Sequence, residues 1–147
     1  MDLRTFGVIV LCTTNLCLGA LVVLHNHRAL VNKLFGLLVF TVVGWILTIY
    51  FSLSIDSAQY TLWLGRFGFA FASGIPFTLI LMFRAFSATP FTARDPRIYV
   101  PALLCAAFVL LSVSPWIIVG SLEASGRQHF VYGPIHKFFG IYFLGAF

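Results

Sequence analysis

Four runs of about 20 residues carry almost no charge: residues 6–24 (FGVIVLCTTNLCLGALVVL), 34–54 (LFGLLVFTVVGWILTIYFSLS), 62–83 (LWLGRFGFAFASGIPFTLILMF) and 98–119 (IYVPALLCAAFVLLSVSPWIIV). At about 1.5 Å of rise per helical residue, each is long enough to cross the roughly 30 Å hydrocarbon core of a bilayer. A soluble domain carries about a quarter charged residues; here they are 9% of 147, and the mean hydropathy is +1.02. The expected fold class is all-α, a polytopic membrane helix bundle with four full spans and no room left for a soluble catalytic domain. A last apolar stretch, residues 134–147 (PIHKFFGIYFLGAF), has the composition of a fifth span but covers only about 21 Å. With no polar flank after it, it is expected to be a helix cut off part-way, so that residues 1–147 form one incomplete membrane domain. The first run exceeds a signal peptide's apolar core of about 7–15 residues and lacks a small-x-small site before HNHR, so it is expected to be a retained helix.

Orientation follows from the basic residues, which are held on the cytoplasmic side of a membrane. The loop after the first span carries Arg28 and Lys33, and the loop after the third carries Arg84, Arg94 and Arg97. The loop after the second span has none, and the one after the fourth has Arg127, with Lys137 beyond it. The first and third loops are therefore expected inside and the amino terminus outside. The formal charge of +5 resides in these short loops and forms no basic, aromatic-interleaved face, which argues against nucleic acid as a partner. The expected partner is the lipid bilayer.

Within the spans, Pro76 removes a backbone hydrogen bond in mid-helix, and the freed carbonyl must find a neighbour. Pro101 falls in the first turn of span four, and Pro115, about a turn from its far end, is expected to kink or loosen it. These kinks either shape their helices or widen an outward-facing cavity. Gly65, Gly68 and Gly74, with Ala70, Ala72 and Ser73, mark span three as a central helix that neighbours approach closely. Asn15, in mid-span, is expected to point its amide at another helix, since an unpaired amide in lipid is costly. Arg66 lies about a turn inside the outer end of span three, beside the interfacial aromatics Tyr60 and Trp63. It either snorkels to the headgroups or faces the bundle and pairs with Asp56, a headgroup phosphate or an anionic ligand.

Metal or haem ligation is not expected. His25 and His27 are assigned to one membrane face and His129 and His136 to the other; the first pair is spaced i, i+2, and a Gly-Pro turn separates the second pair. Cys12, Cys17 and Cys105 have no ligand or redox spacing and are expected to be small buried hydrophobes. No Ser/His/Asp set, HExxH, phosphate-cradling glycine loop or kinase signature occurs, so neither a cofactor nor catalysis by this chain is expected.

The order of motifs resembles a known family. Arg28-x-x-x-Asn32-Lys33-Leu34-Phe35 leads into span two, which contains Trp45. Trp63-Leu64-x-Arg66-x-Gly68 opens span three with Pro76 further on, a proline-led span four follows, and Tyr132-Gly133-Pro134 precedes the last apolar stretch. Nearly the whole chain is similar to the amino-terminal seven-helix sensor region of bacterial membrane histidine kinases. The resemblance implies residence in the bacterial cytoplasmic (inner) membrane, a role in two-component signal transduction, homodimerisation, and a cytoplasmic output domain beyond residue 147. It assigns no universal ligand residue.

The leading expectation is a sensory input module that detects a small ligand at the outer face or a change in the bilayer. Its candidate ligand residues are Tyr60, Trp63, Arg66, Trp116, His129 and Tyr132; its structural residues are Asn15, Gly68, Pro76, Pro115 and Pro134. Two alternatives are a transporter or channel fragment, which would show midplane ionisable groups or paired broken helices, and a structural subunit or membrane enzyme using haem or quinone.

Overall fold

The structure is a computed structural model that describes residues 2–87, 96–124 and 127–145, with side chains at 96–97, 123–124 and 127–128 left outside the description. Arg94, the side chains of Arg97 and Arg127, and residues 146–147 therefore lie outside the described residues, and with them part of the charge count above.

Three helices are long and apolar enough to cross a membrane: α1 (Leu3–His25), α2 (Leu30–Ser52) and α3 (Ala58–Phe86). Asp2 caps α1, its carboxylate accepting the Thr5 amide at 3.2 Å; hydrogen bonds with the Thr5 side chain first and its amide second hold the carboxyl below its usual range. The turn at 26–29 reverses the chain. Asn26 closes it by accepting the Arg28 and Ala29 amides, and Asn32 reaches back to the carbonyls of Val22 and Asn26, both at 3.0 Å. Asn32 thus satisfies a carbonyl in the last turn of α1, which has no partner of its own in the helix.

The helices run antiparallel, as their facing residues show. Thr5 shares a 2.8 Å hydrogen bond with Tyr50 while Gly19 lies against Val39. Between α2 and α3, glycines accept side chains from the opposite helix: Gly44 faces the Phe71 ring, Gly68 faces Thr48 and Gly74 faces Thr41. The hydroxyl of Thr48 that faces Gly68 is bonded to the carbonyls of Gly44 and Trp45 within its own helix, so it brings no unsatisfied donor to the seam. Dispersion contacts of this kind hold helices together where lipid removes the hydrophobic drive. Helix α3 touches α2, the fourth helix α4 (Pro96–Val113), the strands β1 (Ile118–Ala124) and β2 (Arg127–Tyr132), and the last helix α5 (His136–Leu144). Leu3, Leu24, Phe83, Leu103 and Leu110 stand at the outside of the bundle, each more than 70% exposed.

Pro76 is buried inside an α3 that continues unbroken to Phe86. It leaves the Ala72 carbonyl without its i+4 donor. At the adjoining position the Tyr142 hydroxyl, from α5, donates to the Ser73 carbonyl at 2.9 Å. Asn15 differs from expectation: its amide donates to the Leu11 carbonyl of its own helix at 2.8 Å. The carbonyl one turn back satisfies the amide within its own helix.

Span four is also corrected. Helix α4 covers 18 residues, about 27 Å, and ends before Pro115 instead of continuing through it to 119. Proline has no N–H to return to Leu111, and Ser114 takes that carbonyl with both its amide (3.1 Å) and its hydroxyl (2.7 Å). Pro115 thus lies past the end of the helix and kinks nothing. Because α4 begins at Pro96, Pro101 falls in its second turn, not its first.

Beyond Pro115 the chain forms a β-hairpin, β1 paired antiparallel with β2 and irregular between Ile118 and Gly120. The chain is therefore mostly helical, not all-α. Nine residues of the last apolar segment form α5. The core under the hairpin is Ala72, Phe108, Ile117, Ile118 and Phe139, with both isoleucines fully buried.

Candidate functional site

The carboxyl end of α2, the first half of α3, β2 and α5 converge on one cleft of about 400 Å³. From α2 come Trp45, Ile49, Ser52 and Leu53; from α3 Gly65, Gly68, Phe69 and Ala72; from β2 Phe130 and Tyr132; from α5 Phe139 and Phe143. Trp45 and Ser52 are seven positions apart, so the α2 wall extends about 10 Å along the helix axis. Small residues on α3 leave the space, and aromatic rings from three other elements border it. The Phe130 ring sits where a Gly65 side chain would be, within 2.5 Å of the Cβ that glycine lacks.

The aromatic wall is continuous. Phe69 packs edge-on against Phe139 (4.9 Å between centroids) and His136 (5.7 Å), and Tyr132 stacks on His136 at 4.0 Å. Phe139 continues the stack to Phe143, which tilts against Trp45. No charged residue lines the cleft among the described residues. The Ser52 hydroxyl is bonded to the Ile49 carbonyl at 2.8 Å. The Trp45 indole N–H and the Tyr132 hydroxyl have no hydrogen-bond partner among the described residues, so they are the cleft's available polar atoms.

Arg66 fastens the roof. Its guanidinium donates to the Ile118 carbonyl at 3.2 Å and lies 5.3 Å over the Trp63 ring, while its buried Nε has no partner among the described residues. It points at the hairpin, and its hydrogen bond is to β1 and not to Asp56. The Ser121 hydroxyl adds a second tie, to the Ala58 carbonyl at 2.9 Å. Below the hairpin, the Gly133 amide donates to Ile117 (2.8 Å) and the Ile135 amide to Trp116 (3.2 Å).

No protein-family model, curated protein or solved structure matches this chain. The site therefore stands on its own geometry.

Of the six candidate ligand residues, Tyr132 lines the cleft. Trp63 and Arg66 meet each other beside it, and Arg66 bonds the hairpin. Trp116 contributes its carbonyl to the junction, with its ring about half exposed. Tyr60 is exposed on the first turn of α3, and His129 is exposed opposite Leu122 in the hairpin. Gly68 is in the wall, and exposed Pro134 occupies the turn just before α5. Sequence reading missed Phe69, Phe130, Phe139 and Phe143, whose shared signal is only the density of Phe, 17 in the chain. Among the described residues no three His, Cys, Asp or Glu side chains are grouped to hold a metal.

Proposed function

We propose that this chain is the membrane-embedded sensory input region of a two-component-type signalling protein, either a histidine kinase or a related output, in the bacterial inner membrane. In this reading α1 to α4 each cross the bilayer and the amino terminus is outside. Arg28, Lys33 and Arg84 lie at the end of the bundle opposite the hairpin, which fits a cytoplasmic position for that end. The hairpin and the mouth of the cleft then face outward.

One observation carries the proposal: the cleft lies between elements that have different attachments. The hairpin and α5 are hydrogen-bonded to α3 through side chains of Arg66, Ser121 and Tyr142, while α2 is tied to α3 at its carboxyl end by the Thr61 hydroxyl on the Ser52 carbonyl and borders the cleft through Trp45, Ile49 and Leu53. An occupant that fits one spacing of α2 and α3 better than another shifts the bundle by its difference in affinity for the two states, and helix shifts of about 1–2 Å suffice to move an attached domain.

The test places spin labels on cysteines introduced at Leu37 and Phe83, both exposed toward the basic end, in a chain whose native cysteines are serines. A library of neutral and charged small molecules is then screened in lipid nanodiscs. A compound that binds saturably and changes the label distance supports a sensor. Saturable binding with no distance change for any compound refutes signalling through these helices, and flux of the bound compound into proteoliposomes makes the chain a carrier instead. The outward position of the hairpin is checked separately: a cysteine at Ser57 is labelled by an impermeant reagent in intact cells, and one at Asn26 only after lysis.

A further inference from the structure

We infer that the cleft binds a neutral, single-chain or narrow apolar molecule of about a dozen heavy atoms carrying one acceptor oxygen, such as a medium-chain alcohol or ketone. This deepens the sensory reading and rests on it for biological meaning, though not for its chemistry. Size comes from the volume: at about 30 Å³ for each water-sized unit, 400 Å³ accommodates about 13 heavy atoms. Shape comes from the walls. An α2 wall about 10 Å long, faced by the Gly65, Gly68 and Ala72 side of α3, makes an elongated slot.

Polarity comes from the inventory of donors. The Trp45 indole N–H only donates and the Tyr132 hydroxyl donates or accepts, and among the described residues no lysine, arginine or histidine lines the slot to neutralise an anion. Arg66 does not line the slot: its guanidinium donates to the Ile118 carbonyl and lies over the Trp63 ring. A carboxylate or an ammonium in the slot would lose its hydration without gaining a counter-ion, since no charged residue of either sign lines it among the described residues. A hydroxyl or carbonyl oxygen satisfies one donor at the cost of a single desolvated group.

The probe is an undecanol brominated at its terminal carbon, added to the chain in nanodiscs of palmitoyl-oleoyl phosphatidylcholine. Bromine quenches tryptophan on contact, and Trp45 is the tryptophan that lines the slot, one of three in the chain. The expected result is a saturable loss of up to about a third of the fluorescence, absent in Ile49→Phe, which fills the slot from a position that is 40% exposed and so tolerates bulk. Ala72→Leu fills the slot from the other wall, so misfolding of one variant does not remove the control. Tyr132→Phe should weaken binding about three- to tenfold if the oxygen bonds there, as loss of one neutral hydrogen bond does; an unchanged affinity would leave Trp45 as the donor and still support the assignment.

Three results would overturn it. Quenching that rises without saturation, equally in parent and both filled variants, means simple partition into lipid. Equal affinity for the matching brominated undecanoate means that neutrality is not selected. Quenching by acyl-brominated phosphatidylcholine that undecanol does not relieve means that a bilayer chain is the occupant. If the alcohol fails while another library compound binds and moves the label distance, the sensory proposal stands and this ligand class falls. If the alcohol binds and no compound moves that distance, the reverse holds.

Discussion

Gly133 is the point at which the hairpin end is most vulnerable to a single added methyl group. A Cβ built there meets the Trp116 carbonyl oxygen in overlap, with the Pro115 carbonyl oxygen at 2.8 Å. These are backbone atoms, so no flexible side chain can turn aside. Relief requires the main chain at 115–117 to separate from 133–135, which breaks the 2.8 Å bond from Gly133 to Ile117 and the 3.2 Å bond from Ile135 to Trp116. Two hydrogen bonds at about 1 kcal/mol each, plus about 1–3 kcal/mol for overpacking, put Gly133→Ala at about 3–5 kcal/mol destabilising. That is about two to three and a half powers of ten in the unfolding equilibrium. The measurement is reversible unfolding in mixed micelles followed by tryptophan emission, alongside Gly140→Ala, where the added carbon meets nothing within 4 Å. The control should gain a few tenths to about 1 kcal/mol from helix propensity. A Gly133→Ala chain within about 0.5 kcal/mol of the parent would refute this account of the junction.

Other perturbations have equally definite outcomes. Arg66→Ala removes a charge-assisted bond to Ile118 and a cation–π contact with Trp63 and should cost about 2–3 kcal/mol. In the same unfolding assay, Arg66→Lys should recover only part of that. Gly44→Ala drives a carbon to 2.6 Å from the Phe71 ring and should cost about 1–3 kcal/mol. The displaced ring leaves its T-shaped arrangement with Phe40, which should move the aromatic proton resonances of both residues; an unshifted spectrum would contradict it. Asp2 is held below its ordinary carboxyl range first by the side-chain hydrogen bond with Thr5. Its folded pKa is depressed, so the cap is complete above about pH 4 and is lost as pH falls through the lowered value. Exchange of the Thr5 amide should therefore accelerate in that acid window, after correction for intrinsic rates, and Asp2→Asn should remove the dependence.

The long apolar runs make α1, α2 and α3 legible, because length and absence of charge are properties of each segment alone. The small-residue character of α3 likewise points to its many neighbours. The hairpin is harder to see. The string IVGSLEASGRQHFVY holds β-formers at both ends and a Ser-Gly pair between them, but the first of them, Ile118 and Val119, also complete an apolar run that reads as helix. Pro115 decides between the two, and only the competing bond from Ser114 to Leu111 shows that the helix stops there. Asn15 escapes a reading by spacing because a side-chain amide can be satisfied within its own helix at i−4, which no pattern forbids. The cleft is legible at Tyr132 and in the small residues Gly65, Gly68 and Ala72 of α3, but not as a cleft. Its walls come from four elements, and the space beside Gly65 acquires meaning only once Phe130 is known to lie against it. Arg66, prominent as a possible ligand residue, instead bonds the main chain of β1, and nothing in the sequence names that acceptor.

The hydroxyl of Tyr142 reaching the Ser73 carbonyl has a mechanical consequence. Drawing α5 away from α3 would strip a donor from the stretch of backbone where Pro76 has already removed one, inside hydrocarbon that offers no replacement. Those two rods are coupled and must travel together. Against α2 the pair is held by close side-chain packing at Gly44, Gly68 and Gly74 and by the Thr61 hydroxyl on the Ser52 carbonyl, so whatever the cleft takes up must work past those contacts to part the rods.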